Sequence, residues 1–331
     1  MTVDYVQLDP AVSAAEFRFD LIREIRNLQV INTDGRAYVR DTAIMYDAII
    51  INLPEPQTFQ INRFFTEEFF TLACSRLRPH GVLSFSVEGF DNYLAESQRQ
   101  KISSLYNTIR RTFSHVVMLP GGKITFVCSA LPLSSDIPNL LERRGISTRY
   151  ISSYFYGNVT QARISYLTES IDASTPVNTD ISPHMMRIMY AQWFAKYGTS
   201  PRVFIAIVCL LAGFYLLRIT REEFVLFTTG AAAMGAEILI IFIFQILYGY
   251  IYLKIGLIVT IFLAGLLPGA FFGEQLKKKT AGVLMITDSG LILVMASIIM
   301  VLKFGGSDVP QGLFYAAALF VSVLCGFQFP I

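Results

Sequence analysis

The sequence predicts a doubly wound α/β domain followed by an all-α bundle of membrane helices. Three observations carry this prediction. Residues 1 to about 200 carry most of the charge, and residues 203–331 carry very little. In the first part, short apolar runs alternate with helical patterns, as in a parallel sheet with helical crossovers. In the second, apolar stretches approach the ~20 residues a helix needs to cross a bilayer. With 53% hydrophobic residues and a mean hydropathy of +0.49, the whole is too apolar for an ordinary soluble enzyme. A net charge of +2 argues against a dedicated nucleic-acid binder. The cysteines, Cys74, Cys128, Cys209 and Cys325, form no CxxC, and two fall in membrane-like segments, so neither a disulfide framework nor a metal centre is expected. Met1-Thr2 runs straight into VDYVQL, so no signal peptide is expected.

Taken in order, Val3 to Leu8 reads as a strand ended by Asp9-Pro10. Val12, Ala15, Phe19 and Ile22 then recur at helical spacing, with Glu16, Arg18, Asp20, Arg23 and Glu24 between them. Leu28 to Asn32 is a strand closed by Asp34-Gly35. Ile44 to Leu53 is the third strand. Its continuous apolar run reads as buried on both faces, and it breaks at Asn52-Leu53-Pro54-Glu55-Pro56. A helix over Phe64 to Leu77, a turn at Pro79-His80-Gly81 and a strand over Val82 to Val87 follow. Asn92 to Phe113 is a long polar helix. Val116 to Leu119 and Ile124 to Ser129 form a closing antiparallel hairpin around Pro120-Gly121-Gly122.

Ligands of such sheets sit beyond the carboxyl ends of the strands. Gln7-Leu8-Asp9, Asp34-Gly35 and Asn52 to Glu55 each place a carboxylate or amide at that rim. Acids there suit ribose hydroxyls and an adenine amino group, which are hydrogen-bond donors. Singly, Asp9 reads as a helix cap and Asp34-Gly35 as a turn; together they point to a nucleoside.

The series VQLDPAV, NTDGRAYV, YDAIIINLPEP, FFTLACSRLRPHGVLSFSVEG and GGKITFVCS resembles, in order and spacing, the spermidine synthase (polyamine aminopropyltransferase) family. TPVNTDISP and the apolar segments after it resemble the branch fused to transporter-like transmembrane helices. The resemblance implies a Rossmann-like, methyltransferase-type fold. It also implies a transferase of polyamine biosynthesis, which moves an aminopropyl group from decarboxylated S-adenosylmethionine to an amine such as putrescine. It implies no metal and no permanently bound cofactor. The family's ribose-binding Glu falls on Gln7; Asp9 keeps its pattern; Asp34-Gly35 matches the segment near adenine; the catalytic Asp-x-x-Asp-Pro falls on Asn52 to Pro56. Two departures stand out. The family's glycine-rich loop is missing, because the chain opens at what would be the second strand, so a fragment or an incomplete site is expected. The acid that takes the proton from the attacking amine is Asn52, and losing such a base costs roughly 10²–10⁴ in rate. Glu55 keeps a carboxylate and could bind a cationic amine or substitute as base. Two readings follow: an aminopropyltransferase-like enzyme with altered chemistry, or an inactive nucleoside- or polyamine-binding module coupled to a membrane unit.

Residues 1–170 are assigned to the Rossmann-like domain, 171–202 to a linker and interfacial segment, and 203–331 to about five membrane helices. In the first of these boundaries lie a helix over Ile137 to Arg144 with a glycine stop and an aromatic cluster, Tyr150, Tyr154, Phe155 and Tyr156, read as packing. Thr175 to Pro183 reads as a linker, and His184 is assigned no chemistry. The spans are Val203–Leu217, Phe224–Leu253, Ile255–Gly273, Gly282–Leu302 and Gly312–Ile331. Gly265, Gly269 and Gly273 share one helix face and invite close helix approach, with Ala231 and Gly235 doing likewise on the previous span. Glu237, with Gln245 two turns on and Asp288 in the next-but-one span, is read either as a polar pathway for a cation or amine or as structural glue. A carboxylate at that depth costs ~2.5–3.5 kcal/mol unless paired. Expected partners are a nucleoside, an amine and the lipid bilayer, with room for a homo-oligomer. The chain is placed as multi-pass in a bacterial inner membrane. Arg218–Arg221 and Lys277-Lys278-Lys279 would put the soluble domain outside by the positive-inside rule; the cytosolic origin of S-adenosyl compounds favours the cytoplasmic side.

Overall fold

The computed structural model describes every residue except 1, 23–26, 91–92, 149–150, 152–154, 156–158, 199, 249–251, 277–280, 305–308 and 331. Arg23, Glu24, Tyr150, Tyr154, Tyr156 and the Lys277-Lys278-Lys279 loop therefore lie outside the described residues. The chain divides into two compact units, Met1–Ser200 and Pro201–Ile331.

In the first unit, β1 (Val3–Gln7) leads into α1 (Pro10–Arg18), β2 (Leu28–Asn32) into α2 (Gly35–Asp41), and β3 (Tyr46–Ile51) into the short α3 (Phe59–Asn62) and α4 (Glu67–Ser75). Then come β4 (Leu77–Glu88), α5 (Glu96–Arg110), β5 (His115–Leu119), β6 (Lys123–Ser129), α6 (Ile137–Arg143), α7 (Gln161–Glu169) and α8 (His184–Lys196). Caps set several boundaries. Thr66 accepts from Phe69 N, so α4 starts at Glu67 rather than at Phe64 as the sequence suggested, with Glu67 and Glu68 suiting the positive end of the helix dipole. Gly145, at φ +66°, ends α6 as the glycine stop required.

One continuous doubly wound sheet was expected. Instead the strands form a parallel pair, β1–β2, and a four-stranded mixed sheet in the order β3-β4-β6-β5. β3 runs parallel to β4, and β6 is antiparallel to both β4 and β5, as the closing hairpin predicts. The residues Pro79 to Gly81, read as a turn, lie inside β4. The register jumps from Tyr46↔Leu77 to Ala48↔Val82, so the strand bulges there and resumes. β3 is not buried on both faces. Ile49 and Ile51 face the core, whereas Ile50 is 75% exposed. The cause is that the core lies against one face of this sheet. Leu83, Phe85 and Val87 alternate with half-buried Ser84 and Ser86 along β4. Phe85 stacks on Phe126 at 4.8 Å and on Phe70 at 5.8 Å between ring centroids, and Ile102, Leu105 and Ile109 of α5 close the cluster.

The segment read as a linker is stitched into this unit. Asn107 Nδ2 donates to Asp172 O and Thr175 O, Ser104 Oγ to Pro176 O, and Asn178 N to Thr108 Oγ1.

The second unit holds α9 (Pro201–Leu216), α10 (Arg221–Tyr248), α11 (Tyr252–Glu274), α12 (Ala281–Phe304) and α13 (Gln311–Gln328). The last four contain stretches long and apolar enough to cross a membrane; α9 is equally apolar but has 16 residues. The Gly265, Gly269, Gly273 face packs on α13. A Cβ at these positions would run into Ser322, Val323 O and Phe327 O, and one at Gly326 into Leu266 O. Backbone-to-backbone approach of this kind is what small residues permit between apolar helices. Gly235 has open space around its Cβ position and Ala231 is exposed; the buried alanines of α10 are Ala233, two positions after Ala231, and Ala236, one after Gly235.

Candidate functional site

The expected site residues fall into two clusters. In the first, Gln7 pairs in register with Asn32, so the loops after β1 and β2 leave the same end. Gln7 Oε1 accepts from Leu8 N at 2.8 Å. Asp9 Oδ1 accepts from Ala11 N at 2.8 Å and caps α1. Asp34 caps α2 by accepting from Ala37 N at 2.9 Å, and its second oxygen is ion-paired to Arg63. Gly35 opens α2, and a Cβ there would meet only the Phe64 ring, at an ordinary 3.5 Å.

In the second cluster, Asn52 is exposed just past Ile51, which lies opposite Phe85 in β4. Glu55 turns toward the end of β4: its Oε1 accepts from Glu88 N at 2.8 Å and from Lys101 Nζ at 2.7 Å. Gly89 follows, pressed so closely on Gly121 and Gly122 that a Cβ would collide with their backbone. The end of β4 and the β5–β6 turn are thereby held together at this rim.

What ties Asp34 to the rest of the unit was not read from the sequence. Asn62 at the end of α3, Arg63 after it and Thr66 at the cap of α4 are buried, and each holds a distant segment. Arg63 holds Asp34. Asn62 Oδ1 accepts from Asn178 Nδ2 at 3.0 Å, and Thr66 Oγ1 donates to Asp180 at 2.9 Å. Asp180 is also bound by both terminal nitrogens of Arg36, at 2.9 and 2.5 Å. Asn178, fully buried, donates to Phe65 O and accepts from Met185 N. Burial pushes the Arg63 guanidinium below its ordinary value, and Asp34 opposes that shift. The available signal was the polar run Asn178-Thr179-Asp180 inside TPVNTDISP: three polar side chains between prolines can fasten a segment as readily as loosen it.

A groove of about 590 Å³ lies along Asn107, Arg110, Arg111, Ser174, Thr179 and Ser182. None of the expected site residues lines it. In the second unit, Asp288 Oδ1 accepts from Gln328 Nε2 at 2.6 Å. The same amide donates to Thr287 Oγ1 at 2.8 Å and accepts from Thr229 Oγ1 at 3.1 Å. This network ties α10, α12 and α13. Glu237 and Gln245 are half-buried on α10.

The one match with known proteins that has stated bounds falls in the first unit. The chain is 26% identical over 201 residues to a polyamine aminopropyltransferase of Oceanobacillus iheyensis, covering 58% of this chain and 38% of that protein. It is 26% identical over 168 residues to one from Korarchaeum cryptofilum, covering 47% and 50%. The chain thus spans half or less of the length of these curated relatives. A spermidine synthase structure from Thermotoga maritima aligns at 17% identity and a TM-score of 0.39, over 51% of this chain and 60% of that one. Residues 3–131 match the spermine/spermidine synthase domain, and the homologues of this chain include polyamine aminopropyltransferases.

Proposed function

We propose that this chain joins a spermidine synthase-like domain, itself unable to transfer aminopropyl groups at a useful rate, to helices that cross a membrane. The domain acts there as a nucleoside-responsive module. The observation that carries the reading is Asn52. It stands exposed at the end of β3, where the resemblance calls for the general base. An amide cannot accept the proton of an attacking ammonium near neutral pH. Of the other residues assigned to substrate, Gln7 and Asp9 make local bonds and Asp34 both caps α2 and pairs with Arg63, so a nucleoside beside them and Gly35 would have to take up hydrogen bonds alongside these. One observation favours the enzymatic alternative: Glu55 retains a carboxylate three residues on, with a side chain 16% exposed.

Asp288, held by Gln328, ties helices together, and Glu237 with Gln245 is the candidate polar pathway for a cation or amine. The domain is assigned to the cytoplasmic side, where S-adenosyl compounds are made.

The test uses the full chain in nanodiscs with decarboxylated S-adenosylmethionine and putrescine. We expect no product above the blank, and heat on titration with 5′-methylthioadenosine. Spermidine formation would restore the enzymatic reading; no heat would remove the ligand altogether.

A further inference from the structure

Lys101 sits in the middle of α5 with its side chain 1% exposed. A long charged side chain is rarely buried without a partner. Here the partner is Glu55, whose Oε1 lies 2.7 Å from Nζ. Glu88 Oε2 is 4.0 Å from the same nitrogen, on a side chain 71% exposed. Glu88 also stands directly opposite Lys123 in the β4–β6 register. The rim beside Asn52 therefore holds two acids, Glu55 and Glu88, and two lysines, Lys101 and Lys123, and its formal charges cancel.

The side chain of Lys101 is chemically a butylammonium ion. It reaches Glu55 from inside the domain, through the α5 face that also carries Ile102 and Leu105 into the core. Glu55 already has a strong backbone donor in Glu88 N, on the same oxygen. A second alkylammonium arriving from solvent would meet a carboxylate that is neutralised, and a like charge a few ångströms behind it.

We infer that Lys101 fills, from within the chain, the place a ligand's ammonium would take on Glu55. Ligands of this rim are accordingly neutral or anionic at that point, and polyamines are excluded from it. This deepens the proposed function, since it rests on Glu55 being the acid of the β3 rim.

The experiment measures melting of the full chain in detergent against putrescine, n-propylamine and n-propanol. n-Propylamine supplies the atoms that Lys101→Ala lacks. Wild type should show no change with either amine. Lys101→Ala should melt lower and recover by roughly 5–10 °C at saturating n-propylamine. It should not recover with n-propanol, and the double variant Lys101→Ala with Glu55→Gln should not recover with either. The wild-type arm needs no variant to fold. If putrescine stabilises the wild type, and Glu55→Gln abolishes that effect, the inference is overturned. A folded Lys101→Ala chain indifferent to n-propylamine would overturn it too. Titrating the same samples with 5′-methylthioadenosine separates the two proposals, because nucleoside binding tests the module and the amine series tests only the rim.

Discussion

The two halves of the first unit are built differently, although both carry residues of the candidate site. From Ile51 onward there is a dense core in which Phe70, Leu83, Leu105, Ile109, Ile124 and Phe126 are fully buried. Before Ile51, β1, α1, β2 and α2 contribute no residue to that core; their buried residues among those described are Ser13 and Asp34. Gln7, Asp9 and Asp34 stand on the thin half, and Asn52 and Glu55 on the dense one. Local stability follows buried apolar contact. The end of the candidate site that we propose for a nucleoside thus sits on the part of the domain with the least buried apolar contact, which is where a ligand can shift a population. A catalytic constellation needs rigid support on both sides; a responsive module does not.

The contrast can be broken most forcefully from the dense side. Phe126→Ala removes a fully buried ring stacked on Phe85. It should cost about 3–5 kcal/mol of unfolding free energy, the usual range for a buried aromatic cut to Ala. Val12→Ala, at a position 41% exposed on α1, should cost less than about 1 kcal/mol. Urea unfolding of the full chain in detergent measures both. Equal losses would show that the two halves share one core after all.

A smaller effect is expected where the halves meet. Arg63→Met leaves Asp34 buried without its guanidinium. Removing one member of a buried pair costs about 3–5 kcal/mol, and Asp34 keeps its bond from Ala37 N, so the loss should fall at the low end. Its distribution matters more than its size. Hydrogen exchange should quicken in β1, β2 and α2 and stay slow in β4 and β6. Asp34→Asn combined with Arg63→Met should recover part of the loss, because the uncompensated charge is then gone. Uniform acceleration across all six strands would mean that Arg63 supports the dense half instead.

Much of this arrangement was legible from period and punctuation. β2 runs over Leu28–Asn32 as its apolar residues indicate, and the hairpin strands β5 and β6 each begin one residue earlier than read. Strand pairing was less legible. An apolar run such as Tyr46–Ile51 looks the same whether helices cover one face or two, and only the exposed Ile50 separates the cases. The ion pairs were hidden for another reason. Arg63 is 29 residues from Asp34 and Lys101 is 46 from Glu55, and nothing local distinguishes a buried charge from a solvated one. For Lys101 one cue existed. Ile102, Leu105 and Ile109 mark the inner face of α5, and Lys101, Ser104 and Thr108 share that face, so a helix read as polar carries an inward lysine.

The smallest test concerns the polar link between the halves. Tyr46, at the start of β3, donates to Asp4 Oδ2 in β1 at 2.6 Å, and Tyr38 donates to the same oxygen at 2.9 Å. Burial, then the hydrogen bond to Asp4, raises the Tyr46 phenol above its ordinary value. The native state therefore keeps this proton at a pH where the unfolded chain has lost it. The stability it contributes is complete below the unfolded value of about 10. It declines as pH rises from there toward the folded value. Tyr46→Phe should cost about 1 kcal/mol near neutrality, one hydrogen bond to a carboxylate partly exposed to water. It should also flatten the alkaline limb of the stability curve. Unfolding followed by circular dichroism between pH 8 and 11 reads both effects. If the wild type and Tyr46→Phe lost stability in parallel above pH 10, the link would carry none of the coupling, and Arg63 would have to hold the thin half without it.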